Sequence, residues 1–166
     1  FLDESGCNTD MTRRYAYSLG GSRAVDSTPL SKPKNTTILS SIQLDGTLRY
    51  TTFSGGTTVE RFKRYLETDL LPHLNGNSVL IMDNMKSHHA KAVKNLLDSS
   101  EIRYISLPPY SPDLNPIEKL WSKVKSFLRK FKARTLDALP NAIQNAFHSV
   151  TISDCSGWFR FCGYAL

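Results

Sequence analysis

Residues 107–121, LPPYSPDLNPIEKLW, pass from a proline-rich loop into the start of a helix. Proline fixes φ, lacks an N–H and restricts the residue before it, so no regular element is expected ahead of Asn115. Asn115 is a good N-cap, Pro116 suits the first helical position, and Glu118 falls at the third. The stretch therefore predicts a stiff loop that delivers Glu118 into the first turn of a helix.

The helix that follows has one continuous apolar stripe, which predicts that it packs against a core. Its apolar residues recur at helical spacing: Ile117, Leu120, Trp121, Val124, Phe127, Leu128 and Phe131. Trp121 fits a core anchor better than a base-stacking platform. Glu118 has two interpretations that this helix alone does not separate, because a glutamate at this position is also the reciprocal partner in a capping box.

Composition predicts one globular domain with a polyanionic partner. The chain has 166 residues, 40% hydrophobic and 22% charged, with a net charge of +6. From Lys119 to Arg134 there are seven basic residues and no acidic one. This run is either a solvated helix face or a surface for a nucleic-acid backbone. The candidate DNA-binding residues are Lys119, Lys123, Lys125, Arg129 and Lys130.

The cysteines and the hydropathy exclude several classes of protein. Cys7, Cys155 and Cys162 are odd in number and lack CxxC spacing, so neither a disulfide framework nor a zinc site is expected. No apolar run approaches membrane-spanning length, and no signal-peptide pattern is present. We expect a reducing compartment: the cytoplasm, associated with the nucleoid, in a bacterium, or the nucleus in a eukaryote.

The remaining segments predict a mixed sheet with helices on its faces. Strands are expected at residues 1–5, 36–44, 48–53, 79–82 and 102–106, with a further strand-like piece at 15–19. Asp45-Gly46 is a hairpin signal, and residues 79–82 form an uninterrupted apolar run typical of a buried parallel strand. Helices are expected at about 57–74, 87–97, 116–131, from 135 and at 153–164.

Three acidic residues suggest a site for hard cations. Asp3 and Asp83 end apolar strand segments, and Glu118 enters from the helix after the last strand. Chemistry in such sheets collects at the carboxyl ends of the strands. Carboxylates suit Mg²⁺ or Mn²⁺, and a pair of such ions promotes in-line displacement at a phosphodiester. Taken singly, Asp3 could belong to a solvated terminus with Glu4, and Asp83 could cap a turn.

These residues resemble the DDE transposases of the mariner superfamily, and most closely their bacterial insertion-sequence relatives. The likeness runs from Asp3 to about Arg134 and rests on Asp3-Glu4-Ser5, on Met82-Asp83-Asn84 followed by His88, and on YSPDLNPIE. There are 34 residues between Asp83 and Glu118, the spacing of one major branch of that superfamily.

The resemblance implies a ribonuclease-H-like α/β fold and metal-dependent cleavage and strand transfer at transposon ends. Asp3, Asp83 and Glu118 would be the catalytic residues and would hold two Mg²⁺ or Mn²⁺ ions, with Asp3 bridging both. Asn84 and His88 would support them by orienting a carboxylate or meeting phosphate, although His88 could equally lie at the surface. The implied partners are double-stranded DNA, both transposon end and target, and a second copy of the chain.

The same resemblance leads us to expect that residues 1–166 form one catalytic domain, without the start of its first strand and without the helix-turn-helix modules that precede it in the family. One alternative is a domesticated or decayed remnant that binds nucleic acid or a partner protein without catalysis. Another is a different ribonuclease-H-like nuclease, such as a structure-specific resolvase, which the YSPDLNPIE string disfavours.

Overall fold

A computed structural model describes residues 1–30 and 33–164 and contains one five-stranded mixed sheet. The strand order is β3-β2-β1-β4-β5. The strands are β1 (Leu2–Cys7), β2 (Thr36–Ile42), β3 (Leu48–Ser54), β4 (Val79–Met82) and β5 (Arg103–Ser106). The first three pair antiparallel, whereas β4 is parallel to both β1 and β5. The predicted mixed sheet is thus confirmed, with β1 at its centre.

Helices cover both faces of the sheet. The first is α1 (Val59–Tyr65), which continues as a π-helical segment (Leu66–Leu70) and a 3₁₀ turn (Leu71–His73). The others are α2 (Lys91–Ser99), α3 (Ile117–Phe131), α4 (Ala138–His148) and α5 (Ile152–Phe161), with a 3₁₀ turn (Pro112–Leu114) before α3. No helix in the described part of the chain combines the length and apolar character needed to cross a membrane.

Two hydrophobic cores lie on opposite faces of the sheet because alternate strand residues point in opposite directions. Leu2 and Leu39 pack with α1 and α2 on one face, which we call the α1–α2 face. Cys7 and Ile38 pack with α3, α4 and α5 on the other, the α3–α5 face. All three cysteines are free and buried, as their spacing predicts.

The β2–β3 hairpin forms where the sequence predicts it. Asp45 Oδ1 accepts the N–H of Thr47 at 2.8 Å, and Gly46 has φ +88°, a conformation that favours glycine. The two strands then pair over seven residues in unbroken register. This hairpin holds β1 along its whole length, since β1 and β2 share six pairs.

Three local predictions were wrong. Residues 15–19 form no strand: Tyr15, Tyr17 and Leu19 are exposed, and no strand in the described part of the chain pairs with this segment. Helix α2 begins at Lys91 rather than Ser87, because residues 85–89 make turns instead. Helix α1 begins at Val59 rather than at residue 57, because Thr58 caps it with its side chain accepting the N–H of Arg61.

Candidate active site

The register of the sheet sets Asp3 beside Asp83. Leu2 of β1 pairs with Met82 at the end of β4, and both side chains pack on the α1–α2 face. The next residues in each strand are Asp3 and Asp83, which therefore point toward the opposite face. Asp83 follows the end of its strand as predicted. Asp3 does not end a strand, since β1 continues to Cys7, and it lies instead where its neighbour β4 stops.

Asp3 is buried and held at both oxygens. The indole Nε1 of Trp121 donates to Oδ2 at 2.9 Å, and the backbone N–H of Glu4 donates to Oδ1 at 2.7 Å. Burial, with a smaller contribution from the charges of Asp83 and Glu118, raises the pKa of Asp3 to about 7 despite these hydrogen bonds. Trp121 is therefore a core residue, as expected, that also fixes a candidate catalytic carboxylate.

Asp83 is half exposed but anchored at one oxygen. Its Oδ1 lies 2.8 Å from Nδ1 of His88 and accepts the backbone N–H of Met85 at 3.1 Å. Burial opposes its ionisation, but the hydrogen bond and charge of His88 outweigh burial, so the pKa of Asp83 is lowered. Within the described residues no hydrogen bond engages Oδ2, which leaves that oxygen available to a ligand.

Glu118 lies in the first turn of α3, and the structure gives no capping box there. The first helical hydrogen bond runs from the Glu118 N–H to the carbonyl of Asn115 at 3.1 Å, yet no side chain caps this end. Within the described part of the chain Oδ1 of Asn115 is buried without a hydrogen-bond partner. The exposed side chain of Glu118 is thus not committed to capping.

The three acidic side chains line one cavity of about 430 Å³, which we call the carboxylate cavity. The proline-rich loop forms its opposite wall, and Asn84 and Asn115 also line it. Apart from the thioether of Met85, the side-chain donors around it are oxygens or amides, which fits a hard cation such as Mg²⁺ or Mn²⁺. The buried, unpartnered oxygen of Asn115 fits the same kind of ligand.

The carboxylates do not form a ready-made metal site. Among residues 1–30 and 33–164, no three His, Cys, Asp or Glu side chains converge closely enough to hold one ion. Asp3 is fixed by its hydrogen bonds, whereas Glu118 and the free oxygen of Asp83 have room to turn. Convergence on a cation would therefore require movement of side chains rather than of strands.

The two supporting residues have different environments. His88 is buried, not at the surface, and its Nε2 lies 3.2 Å from Oε2 of Glu4. Asn84 is exposed, lines the carboxylate cavity and contacts His89. Glu4, which could have belonged to a solvated terminus, lies in β1 and contacts the site through His88.

The five basic candidates on α3 divide between its sides. Lys125 and Arg129 follow Glu118 at intervals of seven and eleven residues, so they share its face of the helix. They line a groove together with Arg14. The pKa of Arg129 is lowered there, mainly because Arg129 is partly buried and to a smaller extent because of the charge of Arg14.

The other three lie toward the side facing α5. Lys123 pairs with Asp154 at 2.5 Å, and Lys119 lies over the ring of Phe161 at 3.8 Å. Lys130 lines a shallow cavity with both of these lysines. DNA would have to compete with existing partners at Lys119 and Lys123.

The match to a known family agrees with this geometry. The model of the DDE superfamily endonuclease family matches residues 1–140. The chain belongs to this family. Its fold is similar to that of solved transposase structures: a Mos1 transposase paired-end complex with the left transposon end superposes with a TM-score of 0.80 at 19% identity, covering 96% of this chain and 50% of that one. The isolated catalytic domain of Mos1 mariner transposase gives 0.64 at 18% identity, covering 76% and 68%.

Two curated relatives of this DDE endonuclease chain are nematode transposases. The Tc1 transposase of Caenorhabditis elegans is 28% identical over 97 residues, which are 56% of this chain and 36% of that protein. The Tcb2 transposase of Caenorhabditis briggsae is 29% identical over 75 residues, 45% of this chain and 28% of that protein. The matches thus cover well under half of these relatives' length.

Proposed function

We propose that this chain is the catalytic part of a DNA transposase that cuts phosphodiester bonds at transposon ends and joins the freed ends to target DNA. One observation carries the proposal: Asp3, Asp83 and Glu118, distant in sequence, line a single cavity. The relatives support it, since they are named transposases. The bacterial affinity and the cellular compartment given above remain predictions.

We propose that Asp3, Asp83 and Glu118 would together hold two Mg²⁺ or Mn²⁺ ions. Solved Mos1 complexes are described with Mn and with Mg, which supports this choice of ion. When bound, the ions would activate the attacking oxygen and stabilise the charge on the leaving one.

The chain's own residues would position the substrate. In the first step a water oxygen bonds to phosphorus, the bond to the 3′ oxygen breaks, and a 3′-hydroxyl and a 5′-phosphate result. In the second step the oxygen of that hydroxyl bonds to phosphorus in the target strand, the bond from that phosphorus to the target 3′ oxygen breaks, and a new phosphodiester and a target 3′-hydroxyl result. The proline-rich loop would limit access of water to the cavity from its side, while Trp121 keeps Asp3 in place.

We further propose that basic residues of α3 hold the DNA backbone. Lys125 and Arg129 are the strongest candidates, because they lie on the face of Glu118 and have Arg14 beside them. At a rise of 1.5 Å per residue they stand about 10 and 16 Å along the helix from Glu118. That span corresponds to roughly three to five nucleotides of one strand. Lys119, Lys123 and Lys130 would contact DNA on the other side of the helix.

A nicking assay tests the catalytic proposal. Glu118→Gln keeps the size of the side chain but removes a charged metal ligand, so we expect nicking of supercoiled plasmid in Mn²⁺ to be lost while thermal unfolding stays unchanged. Glu60→Gln is the matched control, because Glu60 also lies in the first turn of a helix. Nicking at the parental rate by Glu118→Gln would reject the catalytic role of Glu118, whereas absence of nicking by the parent itself would favour a non-catalytic remnant.

Salt dependence tests the DNA surface. Each phosphate contact contributes about 0.9 to the slope of log K against log salt concentration. Lys125→Ala with Arg129→Ala should therefore flatten the slope by about two, and more than Lys119→Ala with Lys123→Ala does. An unchanged slope in both double variants would identify these residues as a solvated face.

We also propose that two copies of the chain act together on a pair of transposon ends. Light scattering of the complex with DNA would test this, because it measures the mass of the complex.

A further inference from the structure

His88 is enclosed between two carboxylates. Its side chain has no solvent exposure, its Nδ1 lies 2.8 Å from Oδ1 of Asp83, and its Nε2 lies 3.2 Å from Oε2 of Glu4. An ionised carboxylate only accepts hydrogen bonds, so each ring nitrogen donates to one of them. The result is a continuous link from Glu4 on β1, through the ring, to the candidate metal ligand Asp83.

The ring has little freedom to turn. The aromatic ring of Phe62 on α1 stacks on it, with centroids 4.1 Å apart and planes 25° from parallel. Both nitrogens are engaged in the plane of the ring, and one face is covered. Because His88 is immobilised in this way, it can fix Oδ1 of Asp83 and leave Oδ2 directed toward other ligands.

Glu4 is unexpected at its position. It shares the α1–α2 face with Leu2, where residues contribute to the hydrophobic core, and its Oε1 is buried without a partner among the described residues. Burial of a carboxylate there is costly unless it is paired. The described part of the chain offers one charged or polar side chain to it, His88. Its presence is therefore best explained by what it does to that ring.

We propose that Glu4 is a positioning residue for metal binding, acting through His88 to orient Asp83. The proposal rests on the metal-dependent function proposed above and assigns Glu4 a part in it. A histidine hydrogen-bonded to a carboxylate is a common way to orient metal ligands, and loss of such outer contacts typically weakens metal binding or activity by about 10–100-fold. Here the order is reversed: the carboxylate Asp83 is the ligand, and the histidine supports it.

Two substitutions separate positioning from stability. Glu4→Met keeps the length of the side chain but offers Nε2 no strong acceptor, whereas Glu4→Gln retains an amide oxygen that can accept its N–H. Mn²⁺ affinity is measured from the EPR signal of free Mn²⁺, with metal-free thermal unfolding in parallel. Glu101→Met is the matched control, since Glu101 is exposed and has no hydrogen bond in the described structure.

We expect Glu4→Met to raise the Mn²⁺ dissociation constant by about tenfold or more, Glu4→Gln to restore most of the affinity, and Glu101→Met to match the parent. Excess Mn²⁺ should also restore nicking by Glu4→Met, because the loss is one of affinity. Parental Mn²⁺ affinity in Glu4→Met, or unfolding of both Glu4 variants without metal, would overturn the proposal in favour of a role in packing. If the parent itself binds no Mn²⁺, the proposed function fails first, and the role of Glu4 fails with it.

Discussion

The buried carboxylate of Asp3 should make the metal-free protein less stable as pH rises. Burial raises the pKa of Asp3 from 3.8 to about 7. Between these two values the folded protein keeps a proton that the unfolded chain has released. A raised pKa of this kind gives stability that is complete below the unfolded value and is lost as pH rises through the folded value.

The size of the effect follows from the difference of one bound proton. Stability then changes by about 1.4 kcal/mol per pH unit, so from about pH 5 to about pH 6.5 the loss is about 2 kcal/mol. For a domain of this length, 1 kcal/mol shifts the midpoint of thermal unfolding by about 2–4 °C, which predicts a fall of about 4–8 °C. The loss due to Asp3 should level off above its folded pKa of about 7, where loss of the His88 contribution takes over.

The two ionisable neighbours, His88 and Asp83, do not change the stability within this pH window. His88 has its pKa raised from 6.5 to about 9, so its contribution to stability is lost only above the window. Asp83 has a pKa lowered from 3.8, so its contribution is lost only below it. The amino group of Phe1 does titrate in this window, because burial lowers its pKa from 8.0 to about 5, and its contribution to stability rises with pH and would offset the fall. With that amino group acetylated in every protein compared, the fall expected in the window belongs to Asp3.

Circular dichroism during heating in EDTA measures the effect for the parent and for Asp3→Asn. Asparagine does not titrate, so the midpoint of thermal unfolding of Asp3→Asn should not change with pH across the window, whatever its value. Asp113→Asn, at an exposed aspartate, should keep the parental fall. The reasoning would be refuted if the midpoint of thermal unfolding of the parent stayed constant or rose with pH across the window. It would also be refuted if the midpoint of Asp3→Asn fell as that of the parent does.

Three further predictions concern the same site and the hairpin. Mn²⁺ binding at about pH 6.5 should release a proton, because the ion takes the ionised form of Asp3; calorimetry in buffers of different ionisation enthalpy should detect it in the parent and not in Asp3→Asn. Trp121→Phe should lower the free energy of unfolding by about 1–3 kcal/mol, by removing a buried donor, as measured by urea unfolding at pH 8. Gly46→Ala should lower the free energy of unfolding by about 1–2 kcal/mol, because alanine is strained at the positive φ of this position, and should leave the Mn²⁺ affinity unchanged. A midpoint of urea unfolding equal to that of the parent would contradict this.

Elements with strong local signals were predictable from sequence. The Asp45-Gly46 turn identified the hairpin, the apolar run of β4 identified a buried strand, and the stripe after Asn115 identified α3. In each case the local pattern and the tertiary contacts favour the same structure, so neighbouring residues sufficed. Residues 15–19 failed for the opposite reason: their alternation suits a strand, but the sheet offers them no partner.

The candidate site was predictable as a set of residues and not as an arrangement. Asp83 and Glu118 follow recognisable local features, whereas the indole bond of Trp121 to Asp3 and the contact of Glu4 with His88 join residues far apart in sequence. A signal for Glu4 did exist. Adjacent residues in a strand point to opposite faces, so Asp3 on one face required Glu4 to point into the other core.

The pairing of β1 with its neighbours has a consequence for which changes of sequence this chain can accept. Asp3 reaches α3 on one side of the sheet while Glu4 reaches His88 on the other. Sliding β1 by a single residue would exchange the two sides, leaving the indole and the imidazole each facing the wrong neighbour. Insertion or deletion of one residue within the β1–β2 ladder should therefore abolish metal binding even where an unbroken sheet is kept, whereas the exposed residues 19–25 between these strands can vary in length.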